Sequence, residues 1–276
     1  MGEWNSQTVQ LNDISLHYYR LENSGKPSIL FLHGYHDSGR CWQHVAEALA
    51  SEYDMVMPDA RYHGLTSGSG DVQDTTLAND VLALIDYLHL ERPTLVGHSM
   101  GAHVAALAAS MRPELVGSVV LEDPAWEENF VPDAERERIE LEAWKSSTKI
   151  YKTVPQEEAL EEARLEHPNW ALSDIEPWIE AQRAFNLDIY TVLTNTAQAP
   201  WRETPWRELV TRISCPILLL SGEVSRGGFV TPATASEIVQ RATQCQHIHI
   251  PGAGHNLRRD NFDAFMQALR SFLPAQ

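Results

Sequence analysis

The five residues Gly97-His98-Ser99-Met100-Gly101 constrain this chain more than any other feature. They follow the apolar run Thr94-Leu95-Val96 and lead into the Ala-rich stretch Gly101–Ser110, so a G-x-S-x-G pattern sits between a strand and a buried helix. Glycine at both ends lets the backbone turn sharply and pack closely against neighbouring strands, because no Cβ intervenes. Such a turn lifts the Ser99 hydroxyl above the strand ends. The helix N-terminus beneath it favours developing negative charge. The pentapeptide carries weight because of this context.

Around that turn, short apolar runs alternate with amphipathic patterns. Thr8–Leu11 and Ile14–Tyr18 flank Asn12-Asp13 and read as a hairpin. Ile29–Leu32, Met55–Met57, Thr94–Val96, Val119–Leu121, Ile217–Leu220 and His247–Ile250 read as further strands, several of them apolar throughout, as burial on both faces requires. Trp42–Leu49, Leu77–Leu88 and Gly101–Ser110 read as helices. A final helix, with Asp260 as N-cap, places Phe262, Phe265, Met266, Leu269 and Phe272 on one face. The alternation predicts an α/β fold with a mostly parallel eight-stranded sheet flanked by helices.

From Trp126 to Trp206 the alternation stops. Ala134–Trp144, Gln156–Leu165 and Ser173–Phe185 look like helices separated by Pro155, Pro168 and Pro177. No flexible Gly/Ser tract bounds this stretch, so it is expected to be an inserted helical cap over residues 125–206, on a core of 1–124 and 207–276. Trp126, Trp144, Trp170, Trp178, Trp201 and Trp206 either line a pocket or pack the cap onto the core.

A serine hydroxyl is a poor nucleophile without a base. Of the 12 histidines, His255 is placed for that work, in Pro251-Gly252-Ala253-Gly254-His255-Asn256 between the last strand and the last helix. Open α/β sheets meet their ligands at the carboxyl ends of strands.

His33-Gly34-Tyr35, Gly97–Gly101 and Gly254-His255 together resemble the α/β-hydrolase superfamily, over essentially the whole chain. The resemblance implies the α/β-hydrolase fold and the order nucleophile, acid, histidine. It implies an oxyanion hole from the backbone N–H groups of Tyr35 and Met100, each worth on the order of 3 kcal/mol of barrier, with both side chains left to shape the acyl pocket. His36 and Asp37 are candidates for the pocket rim or for solvated loop, and Trp126 and Phe229 are further pocket candidates. The stretch Pro58–Gly64 resembles a loop of capped members such as epoxide hydrolases and dehalogenases, in which Arg61 and Asp59 would tie loops together. Those relatives carry aspartate at the elbow, so Ser99 disfavours alkyl-enzyme chemistry.

The triad acid departs from the common pattern. Many members place an aspartate in a Gly-x-x-Asp loop after the seventh strand, where this chain has Ser225 within Gly222–Val230 and no aspartate. Others take the acid from the end of the sixth strand, where Asp123 stands and would fix the tautomer of His255. Strand alternation turns Glu122 to the opposite face. Glu223 and Glu122 remain competitors.

Composition narrows the rest. With 21 basic and 38 acidic residues the net charge is −17, and no Lys/Arg cluster offsets it, so nucleic acid and anionic membranes are poor partners. Three scattered cysteines form no metal-binding pattern. The N-terminus shows neither a basic n-region nor an apolar h-region, which makes a cytoplasmic protein the expectation. The chain therefore reads as a cofactor-free, metal-free hydrolase, monomeric or homodimeric, that cleaves small to medium apolar carboxylic esters through Ser99. Lactone hydrolysis, acyl transfer or perhydrolysis and carbon–carbon cleavage use the same triad. A hydrolase-like receptor for a small ligand is the rival from another class.

Overall fold

The computed structural model describes residues 4–68, 70–128, 133–196 and 203–274. The chain opens with the expected hairpin, β1 (Asn5–Leu11) and β2 (Ile14–Leu21), closed by Asn12 at φ 51°. Then follow β3 (Ser28–Leu32), β4 (Asp54–Pro58), β5 (Thr94–His98), β6 (Ser118–Glu122), β7 (Ile217–Ser221) and β8 (Cys245–His249). They form one eight-stranded sheet in the order β1-β2-β4-β3-β5-β6-β7-β8. The pairings β1–β2 and β2–β4 are antiparallel and the others parallel.

Successive residues of the central strands enter opposite cores. Leu30, Leu32, Val56, Leu95, Leu121 and Leu219 pack on one face, with α2 (Asp74–Tyr87) and α3 (Met100–Met111). Ile29, Phe31, Met55, Met57, Val96, Val120, Leu218 and Leu220 pack on the other, with α1 (Gln43–Ala48). This double burial is why these strands read as unbroken apolar runs.

The helical stretch after β6 holds α4 (Ala134–Thr153), α5 (Gln156–Glu166), α6 (Leu172–Ala184) and α7 (Ile189–Thr196). It is anchored to the core where α6 meets α1 and the 3-10 turn Gly39–Trp42. Pro177 lies inside α6 and does not separate two helices. There it forgoes one backbone bond, a cost the surrounding packing carries, since Ile175 and Ile179 on either side are 1% and 2% exposed. Among the described residues four helices have no counterpart in the sequence reading: α7, α8 (Trp206–Arg212), α9 (Pro232–Arg241) and the short α10 (Leu257–Asp260). Trp201 lies outside the described residues.

After β8 come α10 (Leu257–Asp260) and α11 (Phe262–Phe272), which joins α1 on its face of the sheet. The N-cap of α11 is Asn261, one residue later than expected, with its side chain accepting from the Ala264 N–H. Asp260 instead ends α10 and accepts from the Gly254 N–H and the Trp170 indole N–H, both at 2.8 Å. Among the described residues no helix is long and apolar enough to cross a membrane. The three cysteines are free and buried.

Candidate active site

Ser99 stands between β5 and α3 at φ 53° and ψ −115°, a backbone conformation costly for a residue with a side chain, by about 1–3 kcal/mol. The turn is held from both sides. The Ser99 N–H donates to the Glu122 carbonyl at 3.0 Å, and the Ala102 and His103 N–H groups donate to the Ser99 carbonyl. The flanking glycines are demanded by backbone, since a Cβ on Gly97 would lie 2.2 Å from the Gly101 oxygen and one on Gly101 2.2 Å from the Leu32 oxygen.

Asp123 follows β6 at φ 40°, fully buried. Its Oδ2 lies 2.7 Å from His255 Nδ1, and it also accepts from the backbone N–H groups of Phe229 (2.9 Å) and Val230 (3.1 Å). A carboxylate accepts only, so Nδ1 carries the proton and Nε2 is the basic nitrogen. The competing acids are occupied elsewhere. Glu223 accepts from the Gly252 N–H at 2.7 Å, and Glu122 accepts from the backbone and guanidinium of Arg258 at 3.0 and 2.9 Å.

Ser99 and His255 line one cavity of about 280 Å³, with Tyr35 and His36 on its wall. Gly34 brings the loop after β3 against the elbow, since a Cβ there would meet His98 Nδ1 at 2.7 Å and Ser99 Cβ at 3.4 Å. Next to Gly34 stands the Tyr35 backbone. Met100 is the first residue of α3, so its N–H has no carbonyl within the helix to bond. The two backbones expected to form an oxyanion hole thus flank Ser99. The Met100 side chain, expected to shape the pocket, is instead 3% exposed and packs in the core behind the elbow.

His36, a candidate for the pocket rim or for solvated loop, lines the cavity. Its Nε2 lies 2.6 Å from the Tyr190 hydroxyl on α7, its carbonyl accepts from Gln182 on α6, and burial pushes its pKa down to about 4. Phe229 places its ring 4.8 Å from the His255 ring. Trp126 is not brought to the cavity. It is 1% exposed, stacked on Trp206, and donates its indole N–H to His103, because the chain turns back onto α3 directly after Asp123. Trp144 and Trp178 line the cavity, together with Thr148, Gln182, Asn256 and Arg259, so its wall is more polar than the sequence led us to expect.

A buried charge cluster went unread in the sequence. Asp37, expected at a rim or in solvent, is 3% exposed and accepts from Arg258 at 3.1 Å and Arg259 at 3.0 Å. Burial alone raises its pKa, but Arg259 and Arg258 outweigh this and hold it low. In Glu122 burial wins over the pull of Arg258 and the pKa is raised. The signal was the pair Arg258-Arg259 just after the histidine loop, which as sequence alone reads as a solvated face. His98 adds another brace, with its Nε2–H donating to the His255 carbonyl at 3.0 Å, and burial with Arg258 nearby keeps its ring neutral. Asp59 and Arg61 tie loops together as expected: Asp59 bonds His17 and the Gly39 N–H, and Arg61 pairs with Asp13 and Asp80.

A family model described as the alpha/beta hydrolase fold matches residues 27–258. The chain is 28% identical over 287 residues to the sn-1-specific diacylglycerol lipase ABHD11 of Mus musculus, a match covering 97% of this chain and 88% of that protein. An epoxide hydrolase of Caballeronia sordidicola is 36% identical over 110 residues, which is 38% of this chain and 33% of the relative, so the chain matches only about a third of that protein's length. The crystal structure of E-2-(acetamidomethylene)succinate hydrolase superposes with a TM-score of 0.78 at 21% identity, covering 99% of this chain and 100% of the other.

Proposed function

The chain belongs to the alpha/beta hydrolase fold family, and within it we propose a serine hydrolase that cleaves carboxylic esters through an acyl-enzyme on Ser99. The observation that carries this reading is the 2.7 Å contact of Asp123 with His255 Nδ1 at a cavity that Ser99 also lines. His255 Nε2 takes the Ser99 proton as Oγ attacks the ester carbonyl, and Asp123 stabilises the imidazolium. The N–H groups of Tyr35 and Met100 receive the oxyanion. On collapse His255 protonates the departing alcohol, and water then cleaves the acyl-enzyme with the same base.

An ester substrate is supported by the lipase relative, whose match covers 97% of this chain. Epoxide opening of the kind suggested by the shorter match needs a carboxylate nucleophile, and Ser99 is not one. Helices α4 to α7 serve as the cap in this reading, with Trp144, Thr148 and Trp178 facing the bound acyl group. A cavity of about 280 Å³ suits a short to medium acyl chain.

Hydrolysis of p-nitrophenyl esters from acetate to octanoate, by wild type and Ser99→Ala, tests the reading. Chain-length-dependent turnover that is lost in the variant supports it. Equal turnover in both proteins removes Ser99 as nucleophile. Binding of esters without turnover by wild type favours the receptor.

A further inference from the structure

Another serine, histidine and aspartate meet on the N-terminal hairpin, remote in sequence from Ser99. Ser6 Oγ lies 2.8 Å from His17 Nε2, and His17 Nδ1 lies 2.8 Å from Asp59 Oδ2. We propose that Ser6 is a further nucleophile, acylated by activated carboxylic esters with His17 as its base. The proposal is independent of the reading of Ser99.

The hydrogen-bond directions follow from the acid. Asp59 accepts from His17, from the Gly39 N–H at 2.7 Å and from the Leu65 N–H at 2.9 Å, the partners a carboxylate requires. His17 Nδ1 therefore carries the ring proton, and Nε2 is an acceptor. The Ser6 hydroxyl must then donate to Nε2, as a serine does when a base is poised to take its proton. Asp59 is the positioning residue, fixed where it stabilises the imidazolium.

Hairpin register brings the pair together. Thr8 stands opposite His17 and Ser6 opposite Tyr19, so Ser6 is the diagonal neighbour of His17 on one face of the β1–β2 pair. Both backbone groups of His17 are held, its N–H donating to Thr66 Oγ1 at 2.8 Å and its carbonyl accepting from the Asp59 N–H at 2.9 Å. The Tyr19 ring packs edge-on to the imidazole at 4.5 Å. His17 is thus 2% exposed, whereas Ser6 is exposed on β1, the edge strand, where an ester reaches its Oγ from solvent.

In the proposed step Ser6 Oγ attacks the ester carbonyl and passes its proton to His17 Nε2. The bond from the carbonyl carbon to the leaving oxygen breaks, its electron pair goes to that oxygen, and the proton on Nε2 follows. The acyl group stays on Oγ. There it covers Nε2 of the buried ring from water, so the ester accumulates and does not turn over. An aryloxide leaves readily and suits a site that supplies a base and its positioning acid.

The test uses Ser99→Ala and p-nitrophenyl butyrate. A burst of one equivalent of p-nitrophenolate is expected, with one butyryl group added to the intact mass and peptide mapping placing it on Ser6. Ser6→Ala in the same background, a change at an exposed position, is expected to abolish the burst. His17→Gln should slow acylation of Ser6 by about 100-fold or more. Ser24, exposed in the turn between β2 and β3, is the internal reference and should react more slowly than Ser6 by a similar factor. An unmodified Ser6, acylation of Ser6 no faster than of Ser24, or an unchanged rate in folded His17→Gln would overturn the proposal. If His17→Gln does not fold, the comparison with Ser24 decides.

Discussion

Glu122 and Asp123 are consecutive at the end of β6, yet their carboxylates serve different parts of one loop. Asp123 holds His255, and Glu122 holds the backbone and guanidinium of Arg258 three residues later. Arg258 also reaches Asp37, two residues after Tyr35, and Arg259 takes the other oxygen of the same carboxylate. The ends of β3 and β6 and the loop after β8 are thereby joined through a single buried cluster. Catalytic groups work only when held to within roughly 0.5 Å of the productive geometry, and a cluster of this kind supplies that restraint.

Asp123→Asn is expected to lower kcat by about 10⁴-fold with little change in KM, because the amide no longer selects the Nδ1–H tautomer of His255. It should also cost about 1–3 kcal/mol of stability, since an NH₂ group now opposes either the Phe229 N–H together with His255 Nδ1–H, at the Oδ2 position, or the Val230 N–H, at the Oδ1 position. Glu223→Gln should change kcat by no more than a few fold. Steady-state kinetics on p-nitrophenyl butyrate decide the matter, and a larger loss in the Glu223 variant would reverse the assignment of the acid.

Arg258→Met should destabilise the fold by about 3–5 kcal/mol, because Glu122 is fully buried and Asp37 nearly so, and both lose a cation. Adding Glu122→Gln should recover part of this loss, as it removes one of the stranded charges. Urea midpoints of the single and double variants give the comparison. A double variant no more stable than the single one would contradict it.

Gly101→Ala is expected to unfold or severely destabilise the protein, because its Cβ would meet backbone of β3 that no rotamer can move. Gly227→Ala is the contrast. Gly227 has φ 92° with open space around its Cβ, so only the left-handed backbone is penalised, by about 1 kcal/mol. Thermal melts should separate the two clearly, and similar losses would refute the steric account.

Stability should fall as pH drops from about 6.5 toward about 4. His36 is pushed down to about 4 in the folded state, so in that window the unfolded chain binds a proton that the folded chain does not. The contribution is fully present above the unfolded value and is lost on acidification, at on the order of 1–3 kcal/mol, reduced by the partial access of the ring to solvent. His98 and His63, also lowered by burial, add to the same slope. Urea midpoints at pH 7 and pH 5 should converge more for His36→Gln than for wild type, and an unchanged slope would remove His36 from the account.

Much of this protein is determined locally and could be read from sequence. The elbow needs glycine at 97 and 101 because backbone passes within van der Waals reach, and that requirement is written into five residues. Central strands buried on both faces need apolar runs, so they were legible, and the hairpin strands β1 and β2 were legible from their alternation around Asn12. His255 and Asp123 were legible as candidates because both stand where strands of a parallel sheet end. Tertiary structure alone brought Asp123, and not Glu122 or Glu223, to the His255 ring, since the 2.7 Å contact joins residues 132 positions apart. It also sent Trp126 into the core, sank the Met100 side chain behind the elbow, and turned Arg258 and Arg259 inward onto Asp37. A side chain's pattern tells which kind of surface it prefers, whereas its partner depends on which distant loops the sheet order β3-β5-β6-β7-β8 brings to the same edge.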